Sequence, residues 1–393
     1  MNQIFTPRAS KTDADLPLSA SLDSGKLPSS ATKIREAALQ DYAQIAALQK
    51  RNGMPAKTQQ QWEHLWINNP VYQRLEKWPI GWVAENDAKE VVGYIGNIPV
   101  AFHFAGKDLL ACCIHAIIVE PRYRGCAGFL LRKLLRQKSP DFILTNTANS
   151  SSSKLNDAFK QPRVPTGQWD RSVYWITEHR GFLAGALKNK GLPQMLAHPA
   201  AAVLRLRDRW LKANNWMQRN QGKVEVCAEF DERFDVFWEA LKRTYPDRLM
   251  ADRSRQTLRW HFHHQLADTR AWIVTIGNDT DLAAYGVFLR QDNTDIDLQR
   301  MRLVDFQALH GDVQLLLPML AWAINECQKQ GVHMLEVFGF RPEKQQVIES
   351  VAPYRRKFPW WWYYYQPVNP SLKTSLQNAA AWDPSQYDGD ASL

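Results

Sequence analysis

The chain has 393 residues, a formal net charge of +9 and 45% hydrophobic residues. At about 150 residues per domain this predicts two or three domains with a sizeable core. It excludes a membrane-spanning class, because polar groups break every apolar run well short of the ~20 residues a span needs. Residues 1–32, rich in Ser, Pro, Asp and Lys, read as a disordered tail without an apolar signal core, and five cysteines without disulfide or zinc spacing point to a reduced, cytoplasmic setting.

In chain order, Ile34–Ala37 reads as a strand and Asp41–Leu48 as a helix with Tyr42, Ile45, Ala46 and Gln49 on one stripe, followed by a second helical piece, Thr58–Leu65. Trp82–Glu85 and Glu90–Asn97 are strands joined by a polar turn. Pro99–Phe104 extends that pair, Gly106 and Lys107 turn, and Leu109–Val119 returns. A helix to about Gln137, a strand Phe142–Thr145, a Ser-started helix Ser150–Phe159 and a closing strand Ser172–Thr177 complete the first half.

The most informative stretch joins the strand ending at Val119 to the helix that follows, with the sequence Glu120-Pro121-Arg122-Tyr123-Arg124-Gly125-Cys126-Ala127-Gly128. A basic, Gly-rich loop at a helix N-terminus offers free backbone N–H groups and the positive end of the dipole to an anion. Gly125 admits the anion close to the backbone, and Ala127 is small for the same reason. The structural alternative is a basic turn that caps a helix.

The stretch from Arg180 to Arg219 holds eight Lys or Arg and one Asp, a charge of +7. With Leu183, Leu187, Leu192, Leu196, Leu204 and Leu211, and breaks at Pro193 and Pro199, it reads as a basic amphipathic connector, either packed between domains or touching an anionic surface. Beyond it the first half's order recurs. Strand Val224–Ala228, helices Phe234–Tyr245 and Arg255–His263, and strands Ala271–Ile276, Leu282–Leu289 and Leu298–Phe306 come first. Helix Val313–Gln330 closed by Gly331, strand Val332–Phe338, helix Glu343–Val351 and strand Trp360–Tyr365 follow. The second strand–helix loop, Asp305 to Asp312, lacks arginine, and its acidic ends would repel a pyrophosphate.

The spacing Arg122-x-x-Gly125-x-Ala127 resembles the acyl-CoA pyrophosphate loop of the GNAT acyltransferase superfamily. Together with Gly93–Pro99, Val119–Arg124, Asn146–Asn149, Arg163–Asp170 and Tyr387–Asp390, it resembles the tandem-GNAT acyltransferases of bacterial surface-polysaccharide clusters over roughly residues 33–390. The resemblance implies an α/β fold of two tandem GNAT-like domains, each a mixed central sheet flanked by helices. The boundaries expected are a GNAT domain at 33–180 with the acyl-CoA loop, a basic helical connector at 181–222, a degenerate GNAT-like domain at 223–368 and a C-terminal tail at 369–393.

It also implies acetyl-CoA or another acyl-CoA as co-substrate. The pantetheine arm would pair with the backbone of Ile117 and Val119, the phosphates would meet Arg122, Arg124 and the Gly125–Gly128 backbone, and Asn146 or Asn149 would meet the pantetheine amide. The tyrosine that commonly protonates the leaving thiolate is missing; Phe159 stands near its place. Alternation puts His115 on one strand face with Cys113, Ile117 and Val119, and its reference pKa near 6.5 suits a general base; a packed core histidine is the other reading.

Trp360–Tyr365 alternates, so part of it belongs to a core rather than a sugar platform, and His261, His263 and His264 have no ligand partners at metal spacing. The expected function is acyl transfer to an amino sugar or surface-polysaccharide precursor, a small-molecule or glycan acceptor. No nucleic-acid partner or metal is expected, and residues 181–222 are the candidate peripheral contact with the inner leaflet. The rival readings are a Fem-like aminoacyl transferase, which would not need the intact CoA loop, and a non-catalytic scaffold.

Overall fold

A computed structural model describes residues 32–166, 169–211, 216–220 and 222–393, apart from the side chains of 209–211. The expected disordered tail therefore lies outside the described residues, save for Thr32, which is buried with its hydroxyl 3.4 Å from Cys126 Sγ.

The strands are β1 Lys33–Glu36, β2 Gly81–Glu85, β3 Val91–Phe104, β4 Lys107–Val119, β5 Phe142–Thr145, β6 Arg171–Ile176, β7 Glu225–Cys227, β8 Met250–Ala251, β9 Ala271–Gly277, β10 Leu282–Arg290, β11 Arg300–Ala308, β12 Met334–Phe338, β13 Tyr354–Lys357 and β14 Tyr364–Pro367. The helices are α1 Tyr42–Arg51, α2 Gln59–Ile67, α3 Cys126–Leu135, α4 Ser150–Ala158, α5 His179–Asn189, α6 Ala197–Leu211, α7 Trp216–Arg219, α8 Arg233–Thr244, α9 Arg255–His261, α10 His263–Ala267, α11 Leu316–Lys329, α12 Pro342–Val351 and α13 Lys373–Gln377. Local chemistry sets several ends. Thr58 and Gln61 form a capping box on α2, Asn149 and Ser152 form one on α4, and Gly331, at φ +68°, follows the end of α11.

The strands form two mixed sheets, β1-β2-β3-β4-β5-β14 with β8 on β3, and β13-β6-β12-β11-β10-β9-β7. Two strands are exchanged relative to the sequence reading. β6, expected to close the first sheet, pairs with β12 and β13 of the second; β14, from the end of the chain, pairs with β5 of the first. Alternation identifies a strand but not its partner. The partner is chosen here by side chains: Ser172 and Arg356 both bond Glu336, and Tyr174 stacks on Tyr354 at 5.2 Å. Burial would raise the Glu336 carboxyl, yet Arg356, Arg302 and Arg300 hold it well below the ordinary range. The sheets therefore interlock, and a cut at residue 180 follows the chain but not the hydrogen bonds.

The core is layered. α3 covers one face of the first sheet through Leu130, Leu131 and Leu134 packed on Ile95, Cys112 and Ile114. α11 covers the far face of the second sheet through Leu316, Met319, Leu320 and Ile324. The inner faces of both sheets share one core with α1, α2, α8 and α9, including Ile45, Trp62, Tyr94, Phe234, Leu258 and Tyr285. Burying each such large side chain contributes roughly 1.5–3 kcal/mol. Into this layer runs the C-terminal segment, where Trp382, Asp383, Ser385, Gln386, Tyr387 and Asp388 are all at most 3% exposed. The segment expected as a tail is interior structure.

Candidate active site

β4 delivers the loop. Past Val119, Glu120 and a 3-10 turn Pro121–Tyr123 lead to Gly125, which begins α3 without a side-chain cap. The start of α3 therefore has no side-chain acceptor, although the Ala127 N–H donates to the Arg124 carbonyl at 3.1 Å; an anion site uses the first N–H groups left without such a partner. The Arg122 side chain is exposed, with Nε 3.5 Å from Glu120, and Arg51 also reaches Glu120, at 2.8 Å. Arg124 is exposed, Ala127 and Gly128 are half-buried, and Cys126 is buried against Thr32, so Cys126 offers backbone only.

The strand itself is opened. β4 and β5 pair in parallel only at Ala111–Cys113 with Phe142–Leu144, whereas β4 stays paired with β3 to Val119. Among the described residues no strand pairs with β4 on the β5 side from Ile114 onward, which leaves that edge open to strand addition by a ligand. The β3–β4 register shifts between Tyr94 and Gly96, and Ala116 sits at φ +51°, a bulge that bends the strand. A left-handed non-glycine residue costs about 1–2 kcal/mol and is held only where surroundings over-determine it. Gly96 is part of that fit: a Cβ there would lie 2.7 Å from the Tyr94 hydroxyl and 3.1 Å from His115 Cβ.

The bulge corrects the expected alternation. Ile117 and Val119 pack on the α3 side with Cys112 and Ile114, while Cys113, Ala116 and Ile118 face the shared core. His115 therefore does not share a face with Ile117 and Val119. Its side chain is 11% exposed, and Nδ1 lies 2.8 Å from Asp390 Oδ2. Among the described residues no protein group bonds Nε2. A carboxylate on Nδ1 fixes the tautomer with the proton there, leaving Nε2 to accept one. Asp390 is itself held: its other oxygen accepts from Thr147 Oγ1 at 2.8 Å, and its N–H donates to Asn146 Oδ1 at 3.1 Å. Gly389 permits this approach, since a Cβ there would lie 2.4 Å from Asn146 Oδ1. Asp390 and Thr147 stand in stretches singled out in the sequence for their resemblance alone; neither was assigned a role.

Asn146 and Asn149 do not serve together. Asn146 is buried, and both ends of its amide hold the C-terminal segment, Nδ2 donating to the Gln386 carbonyl at 3.2 Å. Asn149 is exposed and caps α4 through Ser152 N–H at 2.9 Å. Phe159 follows α4 and packs in the α3-side core. Of the aromatic run, Tyr363, Tyr364 and Tyr365 are fully buried and Trp360, Trp361 and Trp362 are partly exposed. Among the described residues no His, Cys, Asp and Glu group has metal-site geometry.

The second half repeats the opening but fills it. β11 pairs with β12 only at Arg300–Leu303, and its register with β10 shifts between Val287 and Phe288. In the freed space the Gln386 amide donates to Leu303 O at 3.4 Å, and Lys344 Nζ meets Phe306 O at 2.9 Å and Asp383 at 2.8 Å. Asp305 was expected in the loop. It lies instead inside β11, fully buried, bonded by Arg253 at 2.9 and 3.0 Å and by Tyr285 at 2.6 Å. The strand runs on through Phe306 and Ala308, so the loop begins only at Leu309. Asp312 caps the turn before α11 by accepting from Gln314 N–H at 3.2 Å, so a carboxylate stands where an anion would bind.

No protein-family model and no curated protein matches the sequence. Solved structures do resemble the fold. Saccharomyces cerevisiae N-myristoyltransferase with bound myristoyl-CoA has a TM-score of 0.52 at 10% identity, covering 87% of this chain and 80% of that one. A GCN5-related N-acetyltransferase from Anabaena variabilis ATCC 29413 has a TM-score of 0.50 at 14% identity, covering 86% and 73%. At such identities the likeness is one of architecture, and in architecture the chain is a GNAT-fold protein.

Proposed function

We propose that the protein is an acyl-CoA-dependent acyltransferase that acylates the amine of an amino sugar or other surface-polysaccharide precursor. One observation carries the reading: the unpaired edge of β4 runs between a basic loop at a helix N-terminus and the His115–Asp390 pair. Acyl-CoA would lay its phosphates at Arg122, Arg124 and the backbone of Gly125–Gly128, and its pantetheine along Ile117–Val119. The amine nitrogen attacks the thioester carbonyl, the C–N bond forms, the C–S bond breaks, and coenzyme A leaves as thiolate. His115 Nε2 takes the proton the amine gives up. The amino-sugar acceptor rests on the sequence resemblance alone.

The filled second gap and the Asp312 cap support a single CoA site per chain. The connector supports peripheral contact with an anionic leaflet, where a lipid-linked acceptor would lie. The test is calorimetry with acetyl-CoA and longer acyl-CoAs, followed by release of free thiol in the presence of amino sugars and their nucleotide-linked forms. Failure of every acyl-CoA to bind would end this reading.

A further inference from the structure

On the inner side of the first sheet, away from α3, a cleft of about 210 Å³ opens between α2, α9, α10 and the end of β10. Its cationic and imidazole side chains are Lys57, His64, His261, His264, Arg270 and Arg290, and among the described residues Asp268 is the acidic side chain that lines it. The cleft adjoins the proposed base. Asp390 bonds His115, and Ser392, two residues on, lines the cleft with its hydroxyl 2.7 Å from His261 Nε2. Two residues of extended chain span at most about 7 Å.

The charge here is only partly offset, with the Asp390 carboxylate acting on Lys57 from nearby. Arg290 is paired with Asp292. Among the described residues, neither Lys57 nor Arg270 has a side-chain carboxylate within ion-pair distance: Lys57 Nζ donates to the Leu393 backbone oxygen at 2.7 Å and Arg270 to the Arg290 carbonyl at 3.2 Å. Lys57 keeps two further N–H donors and Arg270 most of its five. His264 Nε2 is buried without a hydrogen-bond partner. Burial first, and then the positive charge of Lys57 and neighbouring rings, holds His64, His261 and His264 below the ordinary histidine range. Burial accounts first for that depression; the Lys57 and Arg270 donors and the unpartnered His264 Nε2 are what an anion in the cleft would meet.

We propose that this cleft is the acceptor site and that it recognises a phosphate group on the acceptor, with Lys57 and Arg270 as its binding residues. The assignment to the acceptor rests on the acyl-transfer reading; the affinity for phosphate does not. The cavity is smaller than the roughly 300–1,000 Å³ of sites that enclose drug-sized ligands, so it holds one compact anionic group and not a whole chain. None of its lining residues comes from β4 or the α3 loop, so phosphate here and the pyrophosphate of CoA are separate ligands.

The experiment is a titration of the full chain with glucosamine 6-phosphate, glucosamine and inorganic phosphate, read by calorimetry and by the ring resonances of His64 and His264. Glucosamine 6-phosphate should bind at least tenfold more tightly than glucosamine, inorganic phosphate should shift both rings, and saturating CoA should compete with neither. Lys57→Met and Arg270→Met should each weaken the sugar phosphate about tenfold, and Gly125→Glu should leave it unchanged. Arg270 is exposed, so its variant reports on binding even if Lys57→Met fails to fold. Equal affinity for the phosphorylated and plain sugars, unshifted rings, or loss of phosphate binding in Gly125→Glu overturns the proposal. Absence of acyl-CoA binding with the phosphate results intact overturns the acyl-transfer reading instead.

Discussion

His115 Nδ1 lies 2.8 Å from Asp390 Oδ2, a contact between residues 275 positions apart. If the pair generates the base, His115→Ala should lower kcat by about 10²–10⁴-fold with acyl-CoA affinity nearly intact, and the acidic limb of the pH–rate profile should vanish. Asp390 acts through His115, as a positioning residue. Asp390→Asn should lower kcat less than loss of the ring, leave KM for acyl-CoA unchanged and displace the acidic limb rather than abolish it. Full activity in His115→Ala would return the ring to a packing role.

The α3 loop makes a second prediction. Gly125→Glu puts a carboxylate where the pyrophosphate would lie, and acyl-CoA affinity should fall at least tenfold, about 1.4 kcal/mol. Thermal unfolding without ligand should barely move, because Gly125 is only partly buried. Equal affinity in the two proteins would exclude this loop as the phosphate site.

Stoichiometry tests the second half. With Asp312 on the turn before α11 and Gln386 and Lys344 in the gap beside β11, calorimetry should find one CoA per chain. Two equivalents would mean that the buried segment moves aside.

Much of this was legible in the sequence, and the failures have physical causes. Strand and helix periods located most elements but missed β8, β13, α10 and α13, and the strand expected at Trp360–Tyr365 starts only at Tyr364; the strand–loop–helix around Gly125 stood out because its chemistry is local. The bulge at Ala116 did not, since one extra residue leaves the apolar pattern intact while rotating Ile117 and Val119 to the other face. Asp305 looked like a loop residue because an acid seldom sits in a buried strand; Arg253 and Tyr285, which pair with it, lie 52 and 20 residues away. The exchange of β6 and β14 and the Asp390 contact were equally hidden, because alternation carries no record of a partner.

The buried cluster at Arg253 predicts a pH dependence. Burial pushes the Asp388 carboxyl up to about 7, against the pull of Arg253. Its folded-state pKa is thus above the ordinary value of about 3.9, so its contribution to stability is full below that value and is lost as pH rises through about 7. Asp388→Asn removes this slope. Between pH 5 and pH 7 the wild type should lose stability relative to the variant, by up to about 1.4 kcal/mol per pH unit, seen as diverging urea midpoints. Parallel midpoints would mean that Asp388 stays ionised beside Arg253 throughout.

The connector carries the last prediction. Its +7 charge between Arg180 and Arg219 accompanies an apolar surface that the fold leaves uncovered: Leu192, Met195, Leu196, Val203 and Leu206 are 47%, 77%, 51%, 71% and 63% exposed. The leucines are not equivalent, as the sequence had suggested. Leu204 is 4% exposed and packs on β6 and β13 with Phe182, so the helix is anchored by one stripe and presents another. Arg205 and Arg207, on either side of Leu206 in the sequence, are also exposed, with the Arg207 guanidinium over the Tyr354 ring. Each Lys or Arg near an anionic leaflet contributes about 1 kcal/mol, and inserted apolar side chains add to it. Among the described residues no helix is long and apolar enough to cross a membrane, so such contact would be peripheral. The full chain should co-sediment with phosphatidylserine-containing vesicles at low salt, release at high salt and ignore phosphatidylcholine vesicles. Val203→Gln with Leu206→Gln should weaken sedimentation severalfold without changing acyl-CoA affinity. If anionic vesicles fail to bind the wild type at low salt, the exposed stripe awaits a protein partner rather than a lipid surface.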